Sequence, residues 1–213
     1  MRYKCIIFDC DGVLVDSETI SAKIFKEMAE DLGFRMNFNY AMEKFTGVSM
    51  KKNLKFIEDN IEGTLPAHFE QEFRKRTYDL FKTDLKPING IHNLLNKINV
   101  PVCVASSGPV EKIKISLTTT NLIDKFKNNI FSCYEIGSWK PEPGIYLHTA
   151  RKMGFEPCEC AVIEDSEAGI KAAKSGGFDV FALADKRKKS RFEKLGANVF
   201  FSMDELHDLL KIN

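Results

Sequence analysis

The chain has 213 residues, of which 44% are hydrophobic and 29% are charged, and its formal net charge is +1. These values are ordinary for a soluble globular protein and leave room for one domain with an insert. The near-zero charge gives no reason to expect nucleic acid or a membrane surface as a partner. The first apolar run has only four residues, too few for a signal peptide or a membrane span, so we expect a cytoplasmic protein.

The first predicted element is a short buried strand that ends in two carboxylates. Its apolar run, residues 5–8, is followed directly by Asp9-Cys10-Asp11-Gly12. Asp9 and Asp11 are two residues apart, so they point to the same side of an extended chain. Two carboxylates at one place need a cation or a proton between them, and Mg²⁺ accepts such ligands together with phosphate. An ordinary polar turn is the alternative, because Asp and Gly are common in turns.

Residues 16–86 show helical patterns and no convincing strand. Apolar side chains recur at helical spacing at positions 20, 24, 28 and 32, and Gly33 marks a plausible helix end. Inserted after the first strand, this block would lie over the carboxyl edge of a sheet. We therefore predict that residues 16–86 form a helical cap, which could exclude water during chemistry.

From Pro87 onward, strand and helix patterns alternate, which predicts parallel βαβ units. The fold prediction is therefore α/β: residues 1–15 and 87–213 form a doubly wound, Rossmann-like parallel sheet with helices on its faces. The further strands are predicted at 100–105, 130–134, 160–163, 179–183 and 197–201.

Polar residues follow three of these strands. Ser106, Ser107 and Gly108 open a helix, whose free N–H groups suit an anion. Lys140 precedes a proline and could supply a point charge for a phosphate. Taken alone, the Ser106 segment is equally well explained as a helix cap, and Lys140 is better explained as a solvated side chain. Together they point to one site, because ligands of open parallel sheets bind beyond the carboxyl ends of the strands.

The fourth strand predicted along the chain ends in Glu164 and Asp165, ahead of another helix. Acidic residues at a helix start are ordinary caps. Placed opposite Asp9 and Asp11, however, the two carboxylates would complete an oxygen-rich metal site.

The motifs in this order resemble those of the haloacid dehalogenase superfamily. They are Asp9-x-Asp11-Gly12 running on to Asp16-Ser17-Glu18, then Ser106, Lys140-Pro141, and Glu164-Asp165-Ser166-x-x-Gly169. The resemblance covers essentially the whole chain and is greatest for the phosphoglucomutase-like and sugar-phosphatase branch. Segments 101–109 and 139–141 are similar to those of bacterial 6-phosphogluconate phosphatases.

The resemblance implies a phosphatase of small phosphorylated metabolites, acting through an aspartyl phosphate. Asp9 would be the nucleophile, and Asp11 the general acid and then the base. Ser106 and Lys140 would hold the phosphoryl oxygens. The implied Mg²⁺ ligands are Asp9, the Asp11 backbone carbonyl, Asp165, and Glu164 as either a ligand or a partner of the ligands. The expected substrate contacts are Ser107, Gly108, Ser17, Ser21, Thr46 and Lys51. We expect a monomer or a weak homodimer.

Two other functions stay open at this stage. A β-phosphoglucomutase would carry a histidine where this chain has Ser21 and an arginine where it has Met50, which weakens the mutase hypothesis. A receiver-like phosphoacceptor also places acids at strand ends and a lysine across the site. Receivers have no helical insert of this size, so residues 16–86 argue against that alternative.

Overall fold

The computed structural model describes residues 2–211, which form two compact units. The first unit comprises the described residues up to Val15 together with those from Pro87 onward, and the second comprises Asp16–Lys86. Among residues 2–211, no helix has both the length and the apolar character that crossing a membrane requires.

A six-stranded, all-parallel sheet forms the centre of the first unit, which confirms the predicted α/β class. Its spatial order is β3-β2-β1-β4-β5-β6. The central strands β1 and β4 are buried along their whole length, as expected for parallel strands covered on both faces. The strands are β1 Cys5–Phe8, β2 Val102–Ser106, β3 Ile130–Ser132, β4 Cys160–Glu164, β5 Asp179–Leu183 and β6 Asn198–Phe200.

The register of the central strands sets which residues end at the carboxyl edge. Phe8 pairs with Val104 on one side and with Ile163 on the other. The residues just beyond these pairs, among them Asp9 and Glu164, therefore come out at the same level of the sheet. Strand order reverses direction between β1 and β4, where ligands of such sheets bind.

The second unit is helical, and among its residues 16–86 no strand occurs, as the sequence predicts. Its apolar centre is a stack of aromatic rings: the centroid of Phe25 lies 4.8 Å from that of Phe45 and 3.9 Å from that of Phe73. Its helices are α1 Ser17–Asp31, α2 Phe38–Phe45, α3 Met50–Glu58 and α4 Phe69–Phe81.

The remaining helices belong to the first unit. They are α5 Ile91–Lys97, α6 Val110–Thr119, α7 Ile123–Phe126, α8 Cys133–Ile136, α9 Gly144–Met153, α10 Glu167–Ser175, α11 Lys189–Lys194 and α12 Met203–Leu210, with a 3₁₀ turn at Pro157–Glu159. The predicted strand 130–134 is too long. It ends at Ser132, whose side-chain oxygen accepts a hydrogen bond from the backbone N–H of Tyr134 and thereby starts α8.

The chain leaves the first unit and returns to it at neighbouring points. Val15 and Pro87 form an antiparallel bridge. Within the second unit, the backbone N–H of Asp16 donates to the carbonyl of Lys86 at 2.9 Å. The first and last residues of the insert are therefore hydrogen-bonded to each other.

Candidate active site

Asp9 lies at the end of β1, where a tight turn replaces the strand. Its backbone N–H donates to the carbonyl of Ile163 at 2.9 Å, which continues the ladder with β4 by one residue. The backbone N–H of Leu14 then donates to the carbonyl of Cys10, and Gly12 has a φ of +76°. A Cβ at position 12 would overlap the carboxylate of Asp165. Glycine is therefore required here both by the turn and by the approach of Asp165.

Lys140 lies between two buried carboxylates. Its Nζ is 2.8 Å from Asp9 Oδ1 and 2.6 Å from Glu164 Oε1, and its side chain is only 6% exposed. Burial acts to lower the pKa of Lys140, but Asp9 and Glu164 outweigh it and raise that pKa above its ordinary value. The lysine therefore stays charged, and its ammonium group links the carboxyl ends of β1 and β4.

The two carboxylates respond differently to the same lysine. Burial raises the pKa of Asp9 to about 7, and the nearby charge of Lys140 only partly offsets this. Burial also acts to raise the pKa of Glu164, but Lys140 and several hydrogen bonds bring it below its ordinary value. Glu164 is thus a stable buried anion, whereas Asp9 needs further positive charge to be fully ionised at neutral pH.

The carboxylate of Glu164 is saturated with protein donors. Oε1 accepts hydrogen bonds from Lys140 and from the hydroxyl of Tyr146, each at 2.6 Å. Oε2 accepts from the backbone N–H of Asp165 at 2.9 Å, and from the backbone N–H and hydroxyl of Ser166 at 3.0 and 2.9 Å. A carboxylate offers about four lone pairs. Of the two roles expected for Glu164, this geometry favours that of a partner to the ligands.

Three carboxylates converge where the metal site is expected. Asp9, Glu164 and Asp165 each place an oxygen within 4.8 Å of the others. Carboxylate oxygens are the donors that hard divalent cations prefer, and a cation would supply the charge that the buried Asp9 lacks. The residues therefore fit a divalent metal, and Asp9 and Asp165 stay its predicted side-chain ligands.

Asp11 has an ion-pair partner that the sequence did not reveal. Its Oδ2 lies 2.6 Å from Nζ of Lys112, which is on α6. Lys112 belongs to the helix that the Ser106 motif opens, but no spacing or motif marks it. Tyr146 is the second site residue that the sequence does not reveal. Its place among the buried residues of α9 is that of an ordinary core side chain.

The Ser106 segment forms a hydrogen-bonded turn at the end of β2. Ser106 is 1% exposed, and its hydroxyl oxygen accepts a hydrogen bond from the backbone N–H of Gly108 at 3.1 Å. The hydroxyl of Ser132 donates to the carbonyl of Gly108 at 2.7 Å. The sulfur of Cys133 lies 3.9 Å from the hydroxyl of Ser107. Side chains of β3 and α8 therefore brace this segment.

The other expected substrate contacts belong to the helical unit. Ser17 is the first residue of α1 and is buried, and Ser21 lies one turn further along the same helix. Thr46 follows the last residue of α2, and Lys51 is an exposed residue of α3. Their contact with a substrate stays a prediction.

Comparison with known proteins identifies the family. Residues 3–177 match the haloacid dehalogenase-like hydrolases. The chain is 32% identical over 181 residues to the 6-phosphogluconate phosphatase of Escherichia coli, covering 84% of this chain and 82% of that protein. It is also 32% identical over 188 residues to the β-phosphoglucomutase of Bacillus subtilis, covering 82% and 80% of the two chains.

A solved structure supports the same assignment. A haloacid dehalogenase-like protein of unknown function from Agrobacterium tumefaciens superposes with a TM-score of 0.89 at 29% identity, covering 98% of both chains. The resemblance inferred from the motif order is therefore confirmed. The chain belongs to the haloacid dehalogenase-like hydrolases, and within them it is a phosphoric monoester hydrolase.

Proposed function

We propose that this enzyme is a Mg²⁺-dependent phosphatase of small phosphorylated sugars or sugar acids, acting through an aspartyl phosphate. The observation that carries the proposal is the position of Lys140, whose Nζ contacts both Asp9 and Glu164 beside Asp165. Phosphoryl transfer depends on positioning and on charge neutralisation, and this cluster offers both.

Asp9 is the proposed nucleophile. One oxygen of its carboxylate attacks phosphorus while the bond to the leaving alkoxide breaks, which transfers the phosphoryl group to Asp9. Lys140 already contacts Asp9 Oδ1 and would neutralise charge on the adjacent phosphoryl oxygens. The Ser106 hydroxyl would donate a further hydrogen bond to them.

Asp11 is the proposed acid and base. Its protonated carboxyl would give a proton to the leaving alkoxide, and the resulting carboxylate would take one from the water that hydrolyses the aspartyl phosphate. Over both steps the proton on Asp11 is restored. The ammonium group of Lys112, 2.6 Å from Oδ2 of Asp11, would stabilise the carboxylate form of Asp11 that exists between the two proton transfers.

Asp9 and Asp165, with the backbone carbonyl of Asp11, would hold Mg²⁺. When bound, Mg²⁺ neutralises charge on the transferring group and on Asp9. Glu164 would not bind Mg²⁺ directly, because protein donors already occupy its carboxylate; it would instead hold Lys140 and the backbone of Asp165 in place. The helical unit is proposed as a cap, with Ser17, Ser21, Thr46 and Lys51 contacting the substrate.

The names of the relatives support the proposed substrate class. One is named a 6-phosphogluconate phosphatase, and another is a phosphorylated carbohydrates phosphatase from Thermotoga maritima with 27% identity. The equal identity to a β-phosphoglucomutase supports a hexose phosphomutase as the second candidate. This chain has Ser21 and Met50 where a β-phosphoglucomutase would carry a histidine and an arginine, which argues against the mutase.

Phosphate release from a panel of sugar phosphates, including 6-phosphogluconate, tests the proposal. We expect release with Mg²⁺, none after chelation, and a loss of at least about 10³-fold in Asp9→Asn, because the nucleophile is removed. Asp124→Asn, which changes an exposed carboxylate of α7, is the matched control and should retain full activity. No release from any substrate, combined with isomerised phosphate in the presence of a sugar bisphosphate, would establish the mutase instead.

A further inference from the structure

We propose that Tyr146 is a positioning residue for catalysis: through Glu164 it fixes the ammonium group of Lys140 against Asp9. This inference rests on the proposed phosphatase function and adds a residue that lies outside the motifs. We assign Tyr146 no direct contact with the phosphoryl group. The effect of its hydroxyl is transmitted by a shared acceptor, Oε1 of Glu164.

Tyr146 is an unusual core residue. It is fully buried on α9, and its ring lies among apolar side chains, with its centroid 6.0 Å from that of Phe178. Phenylalanine would satisfy that packing. The hydroxyl instead reaches the charged site and donates to Glu164 at 2.6 Å, a short distance that is typical of hydrogen bonds to an anion.

The two carboxylate oxygens of Glu164 are held by different donors. Its Oε2 is held by backbone and side-chain donors of the next two residues. In the described part of the chain, Oε1 accepts hydrogen bonds from Lys140 and Tyr146, and Lys140 also contacts Asp9. Of these two donors, Lys140 is shared with Asp9, whereas the Tyr146 hydroxyl donates to Glu164.

Tyr146 also limits where Lys140 can go. The Nζ of Lys140 lies 5.1 Å from the centroid of the tyrosine ring, within cation–π range. The same side chain thus contacts the ammonium group through its ring and neutralises part of Oε1 through its hydroxyl. Without the hydroxyl, Oε1 becomes a stronger acceptor for Lys140. The ammonium group should then shift toward Glu164 and away from Asp9.

Variants that differ in one donor test this inference. In Tyr146→Phe we expect kcat to fall about tenfold with KM changed less than about twofold, because charge neutralisation matters most in the transition state. Replacing Tyr146 with 4-aminophenylalanine restores a donor, and 4-methylphenylalanine fills the same volume without one. We expect the first to recover most of kcat and the second to behave like Tyr146→Phe. This pair decides the question even if the phenylalanine variant folds poorly.

Tyr3→Phe is the matched control for stability. Tyr3 is 5% exposed, and its hydroxyl likewise donates to a carboxylate, Asp179 Oδ2 at 2.9 Å, at the opposite end of the strands. It should lower the thermal midpoint and leave kcat unchanged. In addition, Tyr146→Phe should have little further effect on kcat in a Glu164→Gln background, since the effect passes through Glu164.

Crystal structures of the 4-amino and 4-methyl variants give a readout that needs no turnover. We expect the distance from Lys140 Nζ to Asp9 Oδ1 to exceed the native 2.8 Å only in the 4-methyl variant. Equal kcat in the two variants, or an unmoved ammonium group in both structures, would overturn the role of Tyr146. A wild-type enzyme that releases no phosphate would count against the proposed function alone, because the crystallographic comparison would still decide the positioning role.

Discussion

At the scale of single residues, the site stabilises two buried charges, those of Lys140 and Glu164, by giving each more than one partner. Lys140 has two carboxylates, and Glu164 has five hydrogen bonds. Removing one partner of such a group costs more than an average hydrogen bond, because the remaining charge stays buried. The residues around the nucleophile are therefore sensitive even where they take no part in bond making.

The adjacent acids Glu164 and Asp165 should differ in their effect on metal binding. Asp165→Asn removes a proposed ligand and should weaken Mg²⁺ binding by about 10- to 100-fold or more. Glu164→Gln should weaken it less and should lower the thermal midpoint more, because it breaks up the buried network. Calorimetric titration with Mg²⁺ and thermal unfolding of both variants measure the two effects. The reverse ranking of Mg²⁺ affinities would show that Glu164 binds the metal directly.

At the scale of elements, the site lies at the ends of strands, and a helix packs directly against it. β1 and β4 deliver carboxylates to one edge, β2 ends in Ser106, and α10 begins directly below Glu164. The helix start is close because Gly169 has no side chain: a Cβ there would overlap the carboxylate of Glu164. Helix α10 can therefore pack against the buried anion.

Gly169→Ala should reverse the usual effect of such a substitution. In most helices Gly→Ala stabilises by about 0.5–1 kcal/mol. Here we expect a loss of about 2 kcal/mol or more, since the new methyl group displaces Glu164. Lys171→Ala, at an exposed position of the same helix, should change stability by less than about 0.5 kcal/mol. Urea unfolding measures both, and a stabilised Gly169→Ala would refute the close approach.

How far the sequence predicts this architecture depends on whether the signal is local. Strands β1, β4 and β5 are visible because each is a short apolar run, and Asp9 and Glu164 because they follow such runs. The end of β3 is missed because one hydroxyl, that of Ser132, stops the strand. Helix α7, with four residues, is too short to show a period. Lys112 and Tyr146 are missed because their roles come from packing between elements.

At the scale of the whole molecule, the beginning of the chain is tied to a strand far along it. The hydroxyl of Tyr3, which precedes β1, donates to Asp179 at the start of β5, and its ring meets that of Phe181 edge-on at 5.7 Å. Burial, with the hydrogen bond to Asp179, raises the pKa of Tyr3 to about 12. This contact spans 176 residues of sequence and helps to close the first unit.

The Tyr3 contact should make stability decline in alkali. The pKa of Tyr3 is raised in the folded state from 10.0 to about 12, so the folded protein retains a proton that the unfolded chain loses. The free energy of unfolding should therefore fall between pH 10 and 12, by up to about 1.4 kcal/mol per pH unit from this group. Tyr3→Phe should be less stable at neutral pH and show a shallower decline. Denaturant midpoints at several pH values measure this, and parallel curves for the two proteins would contradict it.

The hydrogen bond between Asp16 and Lys86 has an evolutionary consequence. The two ends of the second unit lie next to each other. The first unit therefore has to bridge only a short distance between Val15 and Pro87, whatever the length or sequence of the insert. Inserts of this kind are tolerated where chain ends lie close together. If the helical unit is the proposed cap, its exchange or remodelling would change the substrate contacts while Asp9, Asp11, Lys140 and Tyr146 keep their positions in the first unit.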